Sequence, residues 1–174
     1  MQRVLARGIA KSKDPGSISN SPHLDETIDV QPSRSPTMPH LSGILETALH
    51  VADLERSSDF YERVLELPRI AGDDRFRAYS VANRDVLLLF QRGTTQQPFS
   101  FPGGIIPPHG GSGELHAAFS IAAADLPAWE SRLAAHSIPI ESRVTWPLGG
   151  TSLYFRDPDR HLLELATPGL WPIY

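Results

Sequence analysis

LETALHVADL (Leu45–Leu54) and LHAAFSIAAADL (Leu115–Leu126) open the two halves of the folded part of this chain in the same way. Each begins as an alternating run and ends at an Asp-Leu pair where a helix can start. Successive strand residues point to opposite faces, so Ile44, Glu46, Ala48 and His50 share one face while Leu45, Thr47, Leu49 and Val51 take the other, which reads as core. His116, Ala118 and Ser120 repeat the arrangement against Leu115, Ala117, Phe119 and Ile121. After the first run Leu54, Ser58, Tyr61 and Leu65 recur along one helix face, with Asp53 at the N-cap position. After the second, Leu126, Trp129 and Leu133 do the same from about Asp125.

Shorter β-like runs follow each helix: Arg75 to Val81 and Asp85 to Gln91 around a turn at Asn83, then Ile138 to Thr145, Ser152 to Arg156 and His161 to Ala166. Between the halves, Arg92 to Glu114 reads as a Gly/Pro-rich loop, too long for a plain connector and suited to a lid or binding loop. The order is strand, helix, strands, twice. Tyr79–Phe90 (YSVANRDVLLLF) laid over Tyr154–Leu165 (YFRDPDRHLLEL) at a constant offset of 75 matches Tyr79 with Tyr154, Leu87 with Leu162 and Leu88 with Leu163. It sets Leu89 opposite Glu164, and the opening runs set Glu46 opposite His116. The expected fold is α+β, built from two modules at about 43–92 and 113–168.

Composition narrows the function. The chain has 174 residues, 40% of them hydrophobic, enough for a sizeable core, and a net charge of −4 with no basic patch of the kind nucleic acid demands. With no cysteine, disulfides, thiolate metal sites and a cysteine nucleophile are excluded, so a metal must be held by nitrogen and oxygen. No apolar run approaches the roughly 20 residues that span a bilayer. The first 37 residues hold five basic and four acidic side chains without apolar periodicity. We expect residues 1–40 to form a disordered tail, residues 41–174 the domain, and Met38 to be a possible alternative start. No secretory signal is legible, and the cytoplasm is the expected location.

Ionisable side chains on the face opposite the core are the chemical signal. Glu164, between Leu162 and Ala166 and opposed to Leu163 and Leu165, joins Glu46 and His116 as one metal-capable group on each of three strands; an unpaired buried carboxylate is costly, so such groups need water, a partner or an ion. One histidine and two carboxylates suit Fe, Mn, Ni, Co or Zn and leave open positions for substrate. The competing reading is a carboxylate paired with arginine and a hydrogen-bonded core histidine. His50 shares the Glu46 face about 13 Å along the strand, too far for the same ion, and is read as a substrate contact or a half-exposed strand end. His109, in PPHGG, is a candidate for acid-base chemistry from the loop, and Trp146 for a pocket wall. No phosphate-binding glycine spacing and no Gly-x-Ser-x-Gly elbow is present.

The pattern V-x-D-L-x-x-S-x-x-F-Y-x-x-V-L from Val51 to Leu65, with LHAAF and the D-P-D-x-x-x-L-E-L ending at Leu165, resembles the vicinal oxygen chelate superfamily: glyoxalase I, fosfomycin-resistance enzymes, extradiol dioxygenases and bleomycin-resistance proteins. The resemblance covers roughly Gly43 to Trp171. It implies two tandem βαβββ modules forming an open, curled mixed β-sheet cup, with ligand positions at Glu46, Leu89, His116 and Glu164. Leu89 cannot ligate, and the three-ligand members commonly have His where Glu46 stands. The resemblance further implies a divalent metal cofactor, a small oxygen-rich substrate and a homodimer, with a glyoxalase/lyase, isomerase or dioxygenase step in which Glu46 or Glu164 acts as base. The alternative it carries is a metal-free drug-binding protein of the bleomycin-resistance kind. A structural or regulatory module with a vestigial cup is a third reading.

Overall fold

Strand β1 (Glu46–Val51) leads into helix α1 (Leu54–Arg63), whose N-terminus is closed by Asp53: its carboxylate accepts the Arg56 N–H at 3.0 Å. These elements belong to a computed structural model that describes residues 38–174. The expected tail, apart from its last three residues, lies outside the described residues. Strands β2 (Arg69–Asp73), β3 (Phe76–Val81) and β4 (Asp85–Gln91) complete a sheet in the order β1-β4-β3-β2, with β1 parallel to β4 and the other pairs antiparallel. The β3–β4 turn carries Ala82 and Asn83 at φ of 52° and 55°, the left-handed pair that a tight hairpin needs.

The second half repeats the plan. Strand β7 (His116–Ser120) is followed by a single 3₁₀ turn, helix α2 (Leu126–Ala135), and strands β8 (Ser142–Thr145), β9 (Thr151–Arg156) and β10 (Leu162–Ala166), in the order β7-β10-β9-β8. Again the first and last strands are parallel. The fold is therefore α+β with two open four-stranded mixed sheets. Between the halves, the stretch expected to be loop contains a hairpin, β5 (Phe99–Phe101) with β6 (Gly104–Ile106). Its neck is closed where the Thr95 hydroxyl donates to the His109 carbonyl at 2.7 Å and the His109 N–H to the Thr95 carbonyl at 2.9 Å.

One face of each sheet packs into a single core. Leu49, Val51, Tyr79, Leu87 and Leu89 meet Leu153, Phe155, Leu163 and Leu165, with Phe60 and Tyr61 of α1 and Leu133 of α2 filling between them. The core face of β1 begins only at Leu49. Leu45 and Thr47, expected in the core, are exposed because the start of β1 runs past it, although the Leu45 carbonyl still accepts from Val86.

The registers correct the internal alignment by one residue. Glu46 pairs with Val86 as His116 pairs with Leu162, so Leu88, not Leu89, is the counterpart of Glu164. Tyr154 lies beside Glu164 as Ala78 lies beside Leu88, and fully buried Tyr79 corresponds to fully buried Phe155. A shift of one residue moves a side chain to the other face of its sheet, and Leu89 is a core residue.

The Asp157-Pro158-Asp159 turn ties the halves together. The Asp157 carboxylate accepts from Tyr61 Oη at 2.9 Å and from the N–H groups of Asp159 and His161, and Asp159 accepts from the Ala52 N–H at 2.6 Å and the Ser57 hydroxyl at 2.8 Å. Burial pushes the Tyr61 phenol well above its ordinary value, and the neighbouring Asp157 charge adds to this. Asp159 moves the other way. Burial opposes ionisation there, but the Ala52 and Ser57 donors with Arg92 and Arg56 outweigh it and hold the carboxyl below its ordinary value.

Candidate functional site

On the face of the second sheet that turns away from the core, β7, β9 and β10 place His116, Tyr154 and Glu164 side by side. The His116 ring is fixed by Nδ1, 2.9 Å from the Leu162 carbonyl. A carbonyl only accepts, so Nδ1 carries the hydrogen and Nε2 is turned to Glu164 Oε2, 3.3 Å away. Glu164 is 3% exposed, a buried carboxylate on the face opposite core-facing Leu163 and Leu165. Its other oxygen, Oε1, accepts from the Ser152 hydroxyl, and Ser152 Oγ accepts from the Trp146 indole N–H at 2.8 Å. The Tyr154 phenol is raised above its ordinary value by burial first and by the Glu164 carboxylate beside it.

An imidazole nitrogen lone pair and a carboxylate oxygen repel at 3.3 Å unless a cation lies between them, either a proton or a metal ion. The donor set fits a metal: two donors each about 2.0–2.2 Å from a shared ion stand about 3.4 Å apart at a tetrahedral angle. The Nδ1–H to carbonyl bond is also the usual way in which a ligand histidine is oriented. Among the described residues, however, no group of three or more His, Cys, Asp or Glu side chains is placed to hold one ion. Glu46 is exposed at the start of β1 and joins no such group, but it shares a cleft with His116. That cleft, about 900 Å³ and open to solvent, runs between the start of β1, the β3–β4 turn and β7.

The other two histidines singled out from sequence form a separate cluster. His50, at the far end of β1, is 4% exposed and stacks on Phe90 with ring centroids 5.7 Å apart. The His109 ring stands edge-on to both, 5.7 Å from His50 and 4.9 Å from Phe90. Gly111 passes so close that a Cβ there would lie 2.7 Å from the His50 ring, which fixes the loop against β1. Burial, then the charges of His109, His161 and Arg92, lowers the His50 pKa below its ordinary value. His50 is thus buried beneath the loop rather than free at a cup mouth.

The sequence reading places Ser152 and Tyr154 on a strand without assigning either a role in the site. Their signal was present: in TSLYFR they alternate with Leu153 and Phe155, both fully buried, and so face the same way as Glu164.

Comparison with known proteins agrees with this architecture. The family model of the Glyoxalase/Bleomycin resistance protein/Dioxygenase superfamily matches residues 43–165, and the chain belongs to that superfamily. Among solved structures, it is similar to lactoylglutathione lyase from Agrobacterium tumefaciens, with 31% identity and a TM-score of 0.69, covering 76% of this chain and 98% of that one. FosX from Listeria monocytogenes has 20% identity and a TM-score of 0.56, covering 75% and 97% of the two chains. FosX from Mesorhizobium loti has 24% identity and a TM-score of 0.53, covering 75% and 96%. The two FosX proteins share the fold. No curated protein matches the chain.

Proposed function

We propose that this chain is a metal-dependent enzyme acting on a small oxygen-rich molecule, of the glyoxalase/lyase type. The observation that carries the proposal is the pairing of His116 Nε2 with Glu164 Oε2 at 3.3 Å, one ring nitrogen tied back to a carbonyl and one carboxylate oxygen tied back to a serine. The 31% identity with a lactoylglutathione lyase supports the reaction class. A divalent ion held by His116 and Glu164, of the Fe, Mn, Ni, Co or Zn group, supplies Lewis-acid polarisation of substrate oxygen when bound. The residues divide the remaining work. Glu164, buried and engaged at both oxygens, is the ligand, whereas Glu46, exposed in the cleft beside His116, is the carboxylate free to take a proton from substrate. The exposed Ile44 and Leu45 beside it are apolar surface suited to a second copy of the chain, and we infer a homodimer.

A metal-free binding protein is the second reading, favoured by a donor group of two rather than three and by a roomy, partly apolar cleft. Titration of the metal-stripped chain with Mn²⁺, Ni²⁺ and Zn²⁺, followed by the lactoylglutathione lyase assay, separates them. The metalloenzyme reading expects one ion per chain, loss of binding by about 100-fold or more in Glu164→Ala and His116→Ala, and Glu46→Gln that binds metal yet turns over at least about 100-fold more slowly. Equal binding by wild type and both ligand variants would leave the binding-protein reading.

A further inference from the structure

Glu164 has His116 and Tyr154 beside it in the sheet, and the hydrogen bonds behind its other oxygen run outward through Ser152 to Trp146 in a turn. We propose that Trp146 and Ser152 form a positioning relay, indole N–H to serine oxygen and serine hydroxyl to Glu164 Oε1, that fixes the carboxylate with Oε2 toward His116 and so sets the metal affinity of the site. The proposal rests on the metal reading above and assigns to Trp146 a task other than walling a pocket.

The donor arithmetic makes the chain directional. An indole nitrogen only donates, so Ser152 Oγ must accept from Trp146, and the single serine hydrogen is left for the carboxylate. Ser152 is fully buried, which removes water as a competing partner for either bond. Without the indole the hydroxyl is free to rotate, and without the hydroxyl Oε1 loses the Ser152 donor, leaving Tyr154 and His116 as the polar neighbours of Glu164.

The start of the relay is itself anchored. Trp146 donates its backbone N–H to Gly150 and accepts from Gly149, closing the β8–β9 turn, and the Gly150 N–H reaches the Gly169 carbonyl at 3.3 Å. A Cβ on Gly150 would lie 2.6 Å from the Gly169 carbonyl carbon, so the two backbones touch. The turn that carries the indole is thus locked against the segment following β10, the strand that carries Glu164. Both ends of the relay are referred to the same piece of backbone.

The test uses the full chain, stripped of metal, as wild type, Ser152→Ala, Ser152→Thr and Trp146→Phe. Zn²⁺ affinity is read by competition with a chromophoric chelator, and metal-free stability by urea unfolding. Ser152→Ala is expected to bind Zn²⁺ about 10–100-fold more weakly, in keeping with the usual effect of removing an outer-shell partner, and Ser152→Thr to recover most of it. Trp146→Phe keeps an aromatic side chain but removes the N–H together with part of the ring volume; it is expected to weaken binding by a smaller factor, above about threefold. It carries the test alone if Ser152→Ala does not fold. Affinities within twofold of wild type in both, even with lowered metal-free stability, would assign the relay a merely structural role and overturn the proposal. Wild-type protein that binds no Zn²⁺ would overturn it together with the metal reading, whereas wild-type binding matched by the variants overturns the relay only.

Discussion

His161 Nε2 lies 3.1 Å from the carbonyl of His50, so a histidine of the second half is bonded to the end of a strand in the first. Its Nδ1 accepts the Leu115 N–H at 3.0 Å, which assigns the hydrogen to Nε2. One fully buried imidazole thereby spans the end of β1 and the residue before β7. Together with Asp157 and Asp159 it makes the D-P-D-x-H stretch a staple between the halves rather than part of the candidate site.

Breaking that staple is expected to destabilise the fold without touching metal binding. Asp159→Ala leaves the Ala52 N–H and the Ser57 hydroxyl without their acceptor and is expected to cost about 2–3 kcal/mol. His161→Phe, which removes both ring hydrogen bonds, is expected to cost a similar amount. Urea unfolding measures the loss, and the Zn²⁺ affinity of each folded variant should stay within about threefold of wild type. A large loss of affinity in either would place the turn within the site.

His50 adds a pH dependence whose sign follows from its lowered pKa. The unfolded chain binds a proton at this position near the ordinary histidine value of about 6.5, whereas the folded chain resists until lower pH. Stability from this group is complete above about pH 6.5 and is lost as pH falls from there through the lowered value. Phe90 and His109 pack on the ring, His161 and Arg92 hydrogen-bond the His50 carbonyl, and Arg92 is itself paired with the Asp159 carboxylate. Urea midpoints at pH 8.0, 6.5 and 5.5 should fall more steeply in wild type than in His50→Phe, which preserves the stack. Parallel curves would show that His50 contributes nothing to the slope.

The two faces of β4 offer a direct check on the corrected register. Leu89 is fully buried in the core, and Leu89→Glu is expected to cost more than about 4 kcal/mol or to prevent folding. Leu88 lies half-buried on the other face, at the counterpart of Glu164, and Leu88→Glu is expected to cost about 1–2 kcal/mol and to yield folded protein. Circular dichroism and thermal unfolding distinguish them. The reverse order of severity would restore the offset of 75.

Periodicity carries much of the architecture: β4 buries Leu87 and Leu89 in alternation, β7 half-buries Ala117 and Phe119 between exposed residues, and α1 begins at its capping aspartate, whereas the ends of β1 and β10 are buried on both faces. What it missed has physical causes. Strand β2 (RIAGD) is an exposed edge strand with a register shift between Arg69 and Ala71, so no burial pattern marks it. The β5–β6 hairpin is three residues a side, with Phe99, Phe101, Ile105 and Ile106 all exposed. Alignment on leucine identities was misled by the run Leu87-Leu88-Leu89, where identity cannot tell a core leucine from its neighbour on the opposite face. His116 and Glu164 were legible as polar residues on the face away from the core, and the structure brings them together. How the sheets set Glu46 relative to them depends on curvature, which no local pattern encodes.

The two hydrogen bonds between Thr95 and His109 give the hairpin between them a mechanical independence. Lengthening a loop costs little once its ends are fixed, about 0.6 kcal/mol for each doubling, and here the ends are fixed at the neck. Insertions at the Pro102–Gly103 tip would be borne by the hairpin, provided that the Phe99 ring keeps its place under the Arg75 guanidinium, 3.9 Å from its centroid, making the tip the natural position for a tether or a reporter peptide.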